Sequence, residues 1–181
     1  LKHRMLHPPL PRIASAHHMT TEEREDDLPS RVIRATEEFL TVMRVTGTVV
    51  CRDLRREESS CLWVEILTSE SRFLIGERGT TLRALEHVLR LLLRDVVGDS
   101  VRVVADVNAY RARHTDLVRR QALQAARRAT TTRRAVVLEP MNAADRRVIH
   151  VTLAAEVDVT TESIGEDLER RVVIRPKDPL L

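Results

Sequence analysis

From Pro29 onward the apolar residues switch between helical and strand spacing in short runs, and that alternation confines the chain to small α+β units. Val32, Ala35, Phe39 and Met43 recur at intervals of three and four, which predicts a helix closed by Gly47. Two strand-like runs follow, residues 48–54 and 60–68, with the polar stretch 55–59 between them in a hairpin pattern. Residues 70–74 read as a short helix that leads into Ile75-Gly76-Glu77-Arg78-Gly79. An amphipathic helix is predicted over 80–97, with Leu82, Leu85, Leu89, Leu92 and Val96 on its inner stripe. Gly98 stops it, and the valine-rich run 101–107 reads as a strand.

A second block starts near Tyr110. Residues 111–129 read as a helix with Leu117, Val118, Ala122, Ala125 and Ala129 along one face, and residues 130–134 as its break. A short strand at 135–138 follows. Asn142 then caps a helix reaching Ala154, with Asp145 three residues on as in a capping box. Strands at 157–161 and 171–175 complete the pattern. The expected order is helix–strand–strand–helix–helix–strand, then helix–strand–helix–strand–strand, which makes two compact units of roughly 80 and 70 residues.

Composition narrows the function classes. The net charge of +3 hides an asymmetry: residues 101–150 carry 11 Arg against 4 acids, and the flanking segments are balanced or acidic. A polyanion would meet the middle of the chain. Cys51 and Cys61 have no His or Cys partner at metal-ligand spacing. They read as two reduced thiols, with a pair facing each other across the hairpin as the alternative. No cofactor or metal is expected. No apolar run approaches the roughly 20 residues that span a bilayer, and no secretory signal pattern opens the chain, so the expectation is a cytoplasmic protein without membrane insertion. Residues 1–18, with three prolines, four histidines and no acid, read as a disordered tail or as vector-derived sequence ahead of a start at Met19.

Two motifs carry chemistry. Gly76 and Gly79, three apart between helices, allow the backbone to approach a phosphate closely, and the next helix offers its unpaired N–H groups at the same place. A pair of glycines alone is more often a plain turn. Its setting, however, is strand–helix–GxxG–helix–strand, which resembles a KH domain, and the extra helix and strand ahead of it resemble the type II form. The resemblance implies that Ile75, Gly76, Glu77, Arg78 and Gly79 clamp a nucleic-acid backbone, with bases in the adjoining apolar groove. Glu77 stands where KH loops usually carry a basic or neutral residue; its carboxylate works against a phosphate, and Arg78 offsets it.

The second motif is Arg146 and His150, one helical turn apart. By themselves they read as two solvated polar residues. With the strings Glu139-Pro140-Met141-Asn142, Thr160-Thr161-Glu162-Ser163 and Arg170-Arg171-Val172-Val173-Ile174 around them, they resemble an R3H domain. That resemblance implies a basic patch for single-stranded nucleic acid, the Arg as a phosphate fork and the His as a stacking or hydrogen-bonding group. Arg113, Arg120 and Arg127, seven apart on the preceding helix, form a supporting basic face. Of the four aromatic residues, Phe39 and Phe73 read as core, Trp63 is ambiguous, and Tyr110 is placed to extend the basic face.

A type II KH domain at 29–109 joined directly to an R3H domain at 110–176, with tails at 1–28 and 177–181, resembles the Jag family, also called SpoIIIJ-associated or KhpB-type RNA-binding proteins of bacteria. Many members carry a further N-terminal domain, for which the residues ahead of Pro29 are expected to leave no room. The resemblance implies a post-transcriptional regulator linked to cell elongation and division. The implied partners are single-stranded RNA, with single-stranded DNA as the alternative, a small KH-only protein, and a second copy as a homodimer. The competing class is a protein-interaction adaptor whose KH domain no longer binds RNA. An enzyme built on His150, Glu162 and Ser163 is disfavoured, because no strained nucleophile turn, carboxylate cluster or Walker pattern accompanies them.

Overall fold

A computed structural model describes residues 27–54, 61–98 and 101–177. The chain is α+β, and it divides into two compact units between Ala105 and Asp106.

The first unit opens with α1 (Leu28–Val42), where Asp27 caps the helix by accepting from Ser30 N–H at 2.8 Å and Pro29 occupies the first turn. Its buried residues are Val32, as expected, with Thr36 and Leu40, and the other expected positions, Ala35, Phe39 and Met43, are half-buried. Thr36 takes a core position because its hydroxyl donates to Val32 O at 2.7 Å and so needs no solvent. The helix also ends earlier than Gly47. Arg44 adopts a left-handed φ of 57°, and the N–H groups of Arg44 and Val45 return to the carbonyls of Thr41 and Leu40. Gly47 instead serves a close approach: a Cβ there would lie 2.8 Å from Leu67 O.

Strands β1 (Thr48–Asp53) and β2 (Cys61–Leu67) pair antiparallel, from Thr48↔Leu67 to Asp53↔Leu62, and the order is β1-β2-β3 with β3 at Arg102–Val107. The connection expected at 55–59 lies outside the described residues. The register places Cys51 opposite Val64, so the two cysteines do not face each other, and both are free thiols. Burial, with the nearby carboxylates of Asp53 and Asp27 adding to it, pushes the Cys51 thiol up to about 11. Cys51 should therefore alkylate on the order of 10- to 100-fold more slowly at pH 8 than a free cysteine, because the thiolate is the reacting species. Peptide-level iodoacetamide kinetics would show this, and labelling at the free-thiol rate would refute it.

Between β2 and β3 run α2 (Ser71–Ile75), a 3₁₀ turn over Glu77–Gly79, α3 (Thr80–Leu92) and α4 (Arg94–Val97). Leu82, Leu85, Leu89 and Leu93 are buried, and Leu92 is 51% exposed. The expected inner position at Leu92 thus falls one residue later, at the break between α3 and α4. Alternation on β2 buries Leu62, Val64 and Ile66, and β3 adds Val103, Ala105 and Val107.

The second unit contains α5 (Tyr110–Thr132), β4 (Val136–Val137), α6 (Ala143–Leu153), β5 (Val159–Ile164) and β6 (Arg171–Pro176). Its sheet is antiparallel in the order β4-β6-β5. Val118, Ala122, Ala125, Ala126 and Ala129 of α5 pack with Ile149 and Leu153 of α6 and with Val136, Val159, Val172 and Ile174 of the sheet. The small alanines let α5 approach its neighbours closely. Leu117, expected on that face, is 45% exposed. Nor does the threonine run break α5. The hydroxyls of Thr130 and Thr132 donate to carbonyls one turn back, those of Arg127 and Arg128, at 2.9 and 2.7 Å, and the helix continues to Thr132. Strand β5 starts two residues later than expected and runs to Ile164.

Candidate nucleic-acid interface

Helix α6 starts at an Asn142 cap whose Oδ1 accepts from Asp145 N–H at 3.0 Å. The expected capping box is modified: the Asp145 carboxylate accepts from the Asn142 side-chain amide at 2.7 Å, and its other oxygen accepts from His114 Nε2 at 3.0 Å. Since a carboxylate only accepts, His114 carries its proton on Nε2. Tyr110 stacks on the His114 ring, with centroids 5.1 Å apart. This chain of contacts ties the first turn of α5 to the first turn of α6.

One residue beyond Asp145, Arg146 turns toward a different side of the helix, and His150 follows one turn later. His150 is part-buried and held at both ring nitrogens: Nδ1 lies 2.7 Å from Thr161 Oγ1 and Nε2 lies 2.9 Å from Ser163 Oγ. Thr161 and Ser163 alternate with the exposed Thr160, Glu162 and Ile164, so β5 presents the two hydroxyls on one face. A hydroxyl can donate or accept, so this cradle satisfies the imidazole whether neutral or protonated. Arg146 Nε is buried and has no hydrogen-bond partner among the described residues, an unusual state for a strong donor.

The contact between His150 and Ser163 has the length of a nucleophile–base pair, but the rest of a triad is not assembled. Glu162 lies on the other face of β5, in an exposed ion pair with Arg175 at 2.6 Å, and the second imidazole nitrogen meets a hydroxyl instead of a carboxylate. Among the described residues no group of three His, Cys, Asp or Glu side chains is placed to hold a metal ion, and no helix is long and apolar enough to cross a membrane.

In the first unit, Gly76 (φ 67°, ψ −173°), Arg78 (φ 50°) and Gly79 (φ 76°) fold the loop back between α2 and α3. Ile75 is half-buried, Gly79 is buried, and Glu77 and Arg78 are exposed. The Thr80 hydroxyl closes the turn on Glu77 O at 2.8 Å. Phe73, expected in the core, is 61% exposed just before this loop. Its neighbour Leu74 takes the buried position of the short helix instead.

Arg113, Arg120 and Arg127 are all exposed on α5. They are not equivalent: the Arg113 guanidinium donates to Asn108 O, and Arg120 and Arg127 make no ion pair among the described residues. The spacing of Arg146 and His150 and the R3H-like strings around them point to this helix face, but the pairing of His150 with Thr161 and Ser163, and of His114 with Asp145, has no signal in the sequence.

A family model described as the R3H domain matches residues 116–176, which include Arg146, His150, Thr161 and Ser163. RNA-binding protein KhpB of Clostridium symbiosum is 30% identical over 155 residues, covering 86% of this chain and 69% of the relative. The chain belongs to the KhpB family. KhpB of Bacillus subtilis is 32% identical over 124 residues, 67% of this chain and 60% of the relative. KhpB of Lactiplantibacillus plantarum is 36% identical over 107 residues, which is 59% of this chain but 33% of that protein. The chain therefore spans between a third and about two thirds of the length of these KhpB relatives. The R3H match starts inside α5, leaving Arg113 and the glycine loop outside it.

Proposed function

We propose that this KhpB-family chain binds single-stranded RNA through Arg146 and His150, with the glycine loop of the first unit as a second contact. The observation that carries the reading is the His150 cradle. With both ring nitrogens already held, the imidazole is fixed in orientation and keeps its ring for stacking, and one turn away Arg146 has an Nε without an acceptor, which suits an anionic ligand better than a packed core. The relatives' shared name, RNA-binding protein, supports RNA as that ligand. The helix–strand–strand–helix–helix–strand order of the first unit and the two positive-φ glycines at Gly76 and Gly79 support reading it as a type II KH domain. Two modest sites on one chain raise each other's effective concentration, so their contacts sum to useful affinity.

Equilibrium binding of a fluorescent single-stranded RNA at two salt concentrations tests this. Arg146→Ala/His150→Ala removes charge-assisted contacts and should weaken binding by about 10- to 100-fold, corresponding to about 1.4–2.7 kcal/mol. Glu77→Asp/Arg78→Asp should weaken it as well, and the wild type should lose affinity with salt. Loss only in the Arg/His variant would make the loop a protein-contact surface, where the exposed Glu77 would be at home. Unchanged binding in both variants would refute the sites.

A further inference from the structure

The second unit has another basic surface, at the far end of α5. An open groove of about 540 Å³ is lined there by Arg128, Thr132, Arg134, Ala135, Val136 and Val137. Arg128 and Thr132 are one turn apart on the helix. Arg133 takes a left-handed φ of 55°, which turns the chain so that Arg134 comes back beside them before β4 begins. Residues 127–134 contain four arginines and no acid. The Arg128 and Arg134 side chains form no ion pair or hydrogen bond among the described residues.

A helix C-terminus would ordinarily oppose an anion, because its last carbonyls carry partial negative charge. Here the four arginines of residues 127–134 outweigh that partial charge, which amounts to about half an elementary charge. A peptide strand is the poorer occupant. The β4 edge is only Val136–Val137, too short to template an added strand, and the groove offers guanidinium forks instead of a ladder. Without an aromatic lining it also has no platform for base stacking, which leaves the sugar-phosphate backbone as the fitting partner.

Its position relative to the first site follows from the sheet. The groove borders β4, and His150 faces β5, so the two lie at opposite edges of the β4-β6-β5 sheet. The outer strands of such a sheet are about 10 Å apart, a span that a short oligonucleotide covers. We propose that the groove is a second phosphate-binding subsite, continuing the path of an RNA strand held at Arg146 and His150. The proposal rests on the reading of the chain as an RNA binder.

The test compares the full chain with Arg128→Gln/Arg134→Gln, using a fluorescent uridylate dinucleotide, whose single internucleotide phosphate cannot occupy both sites at once, and a fluorescent oligouridylate of about 16 nucleotides, the upper end of single-strand site sizes. Both arginines are exposed, and hydrogen exchange over residues 106–177 would verify that the fold is kept. The variant should bind the long oligomer about 10-fold more weakly at physiological salt, with the slope of log K against log salt reduced by about 1.4, as for two lost phosphate contacts. Its affinity for the short oligomer should be unchanged. Wild-type affinity and slope on both lengths would overturn the subsite, and so would an equal loss on both. Retained RNA binding with loss of polyglutamate binding would assign the groove to an acidic protein partner and overturn it too. If the wild-type chain binds neither oligomer, the RNA-binding reading itself fails and the subsite falls with it.

Discussion

Replacing Gly76 with alanine is expected to destabilise the first unit by about 2–4 kcal/mol, combining backbone strain with a displaced side chain. Gly76 has φ +67° and ψ −173°, a conformation that essentially only glycine adopts. Its surroundings compound the cost: a Cβ would lie 2.0 Å from Thr81 Oγ1, 2.8 Å from Thr81 Cβ and 3.0 Å from Thr81 N. Thr81 would have to turn, but it lies in the first turn of α3 and its backbone is fixed by the helix. Gly98 supplies the control, because its φ of +78° is also forbidding and its Cβ position faces open space. Gly98→Ala should therefore cost only the backbone part, about 1–3 kcal/mol. Thr81→Ala in the Gly76→Ala background removes only the Oγ1 contact, so it should restore part of the excess while leaving the strain and the 2.8 Å approach of the two Cβ atoms. Trp63, the one tryptophan in the sequence, sits in β2 of the same unit, so its fluorescence during denaturant unfolding reads each variant. Equal midpoints for Gly76→Ala and Gly98→Ala would show that the Thr81 contact carries no cost.

The same loop shows what a sequence can disclose. Glycine is legible because its backbone freedom is a property of the residue, although Gly76 and Gly79 gain a reading beyond a plain turn only from the strand–helix–GxxG–helix–strand setting around them. Arg146 and His150 were legible through the spacing of four that puts them on one helix face together with the R3H-like strings around them, since by themselves they read as two solvated polar residues. Their surroundings were not. Thr161 and Ser163 reach His150 only because the pairing of β5 with β6 and the packing of α6 fix which face of β5 turns inward. A one-residue change of register would offer Thr160 and Glu162 instead. Register likewise decided the cysteines, placing Cys51 against Val64. Errors in the core have a chemical origin. Thr130 and Thr132 read as part of a helix break and Thr36 falls outside the expected stripe, yet each hydroxyl donates to a carbonyl one turn back and is spent inside its own helix. Leu92 and Leu93 exchanged roles because α3 and α4 meet there, and a helix break shifts the apolar phase by one residue.

Asp145→Ala is expected to cost the second unit about 2–4 kcal/mol, because it strands two donors at once. The carboxylate is only 8% exposed, and its oxygens accept from His114 Nε2 and from the Asn142 amide. Removing it leaves both donors in a part-buried site with no replacement acceptor. Residual exposure of the His114 side chain, 18%, lets water recover part of the loss and keeps the figure below the sum for two fully buried groups. The Asn142 cap also loses the group that orients it, although the Asp145 backbone N–H remains for Asn142 Oδ1 to accept from. The effect should spread beyond stability. Arg146 follows Asp145 directly, and the first turn of α6 is anchored to α5 through His114, so faster exchange should appear in amides at the start of both helices. Asp145→Asn should recover less than half of the loss, since its amide nitrogen would confront one of the same two donors. Hydrogen exchange resolved by peptide is the appropriate measurement, with residues 27–54 as the internal reference. Protection unchanged at the starts of α5 and α6 in Asp145→Ala would mean that packing of Ile149 and Leu153 alone sets the position of α6, and that the polar chain from Tyr110 to Asn142 adds nothing to it.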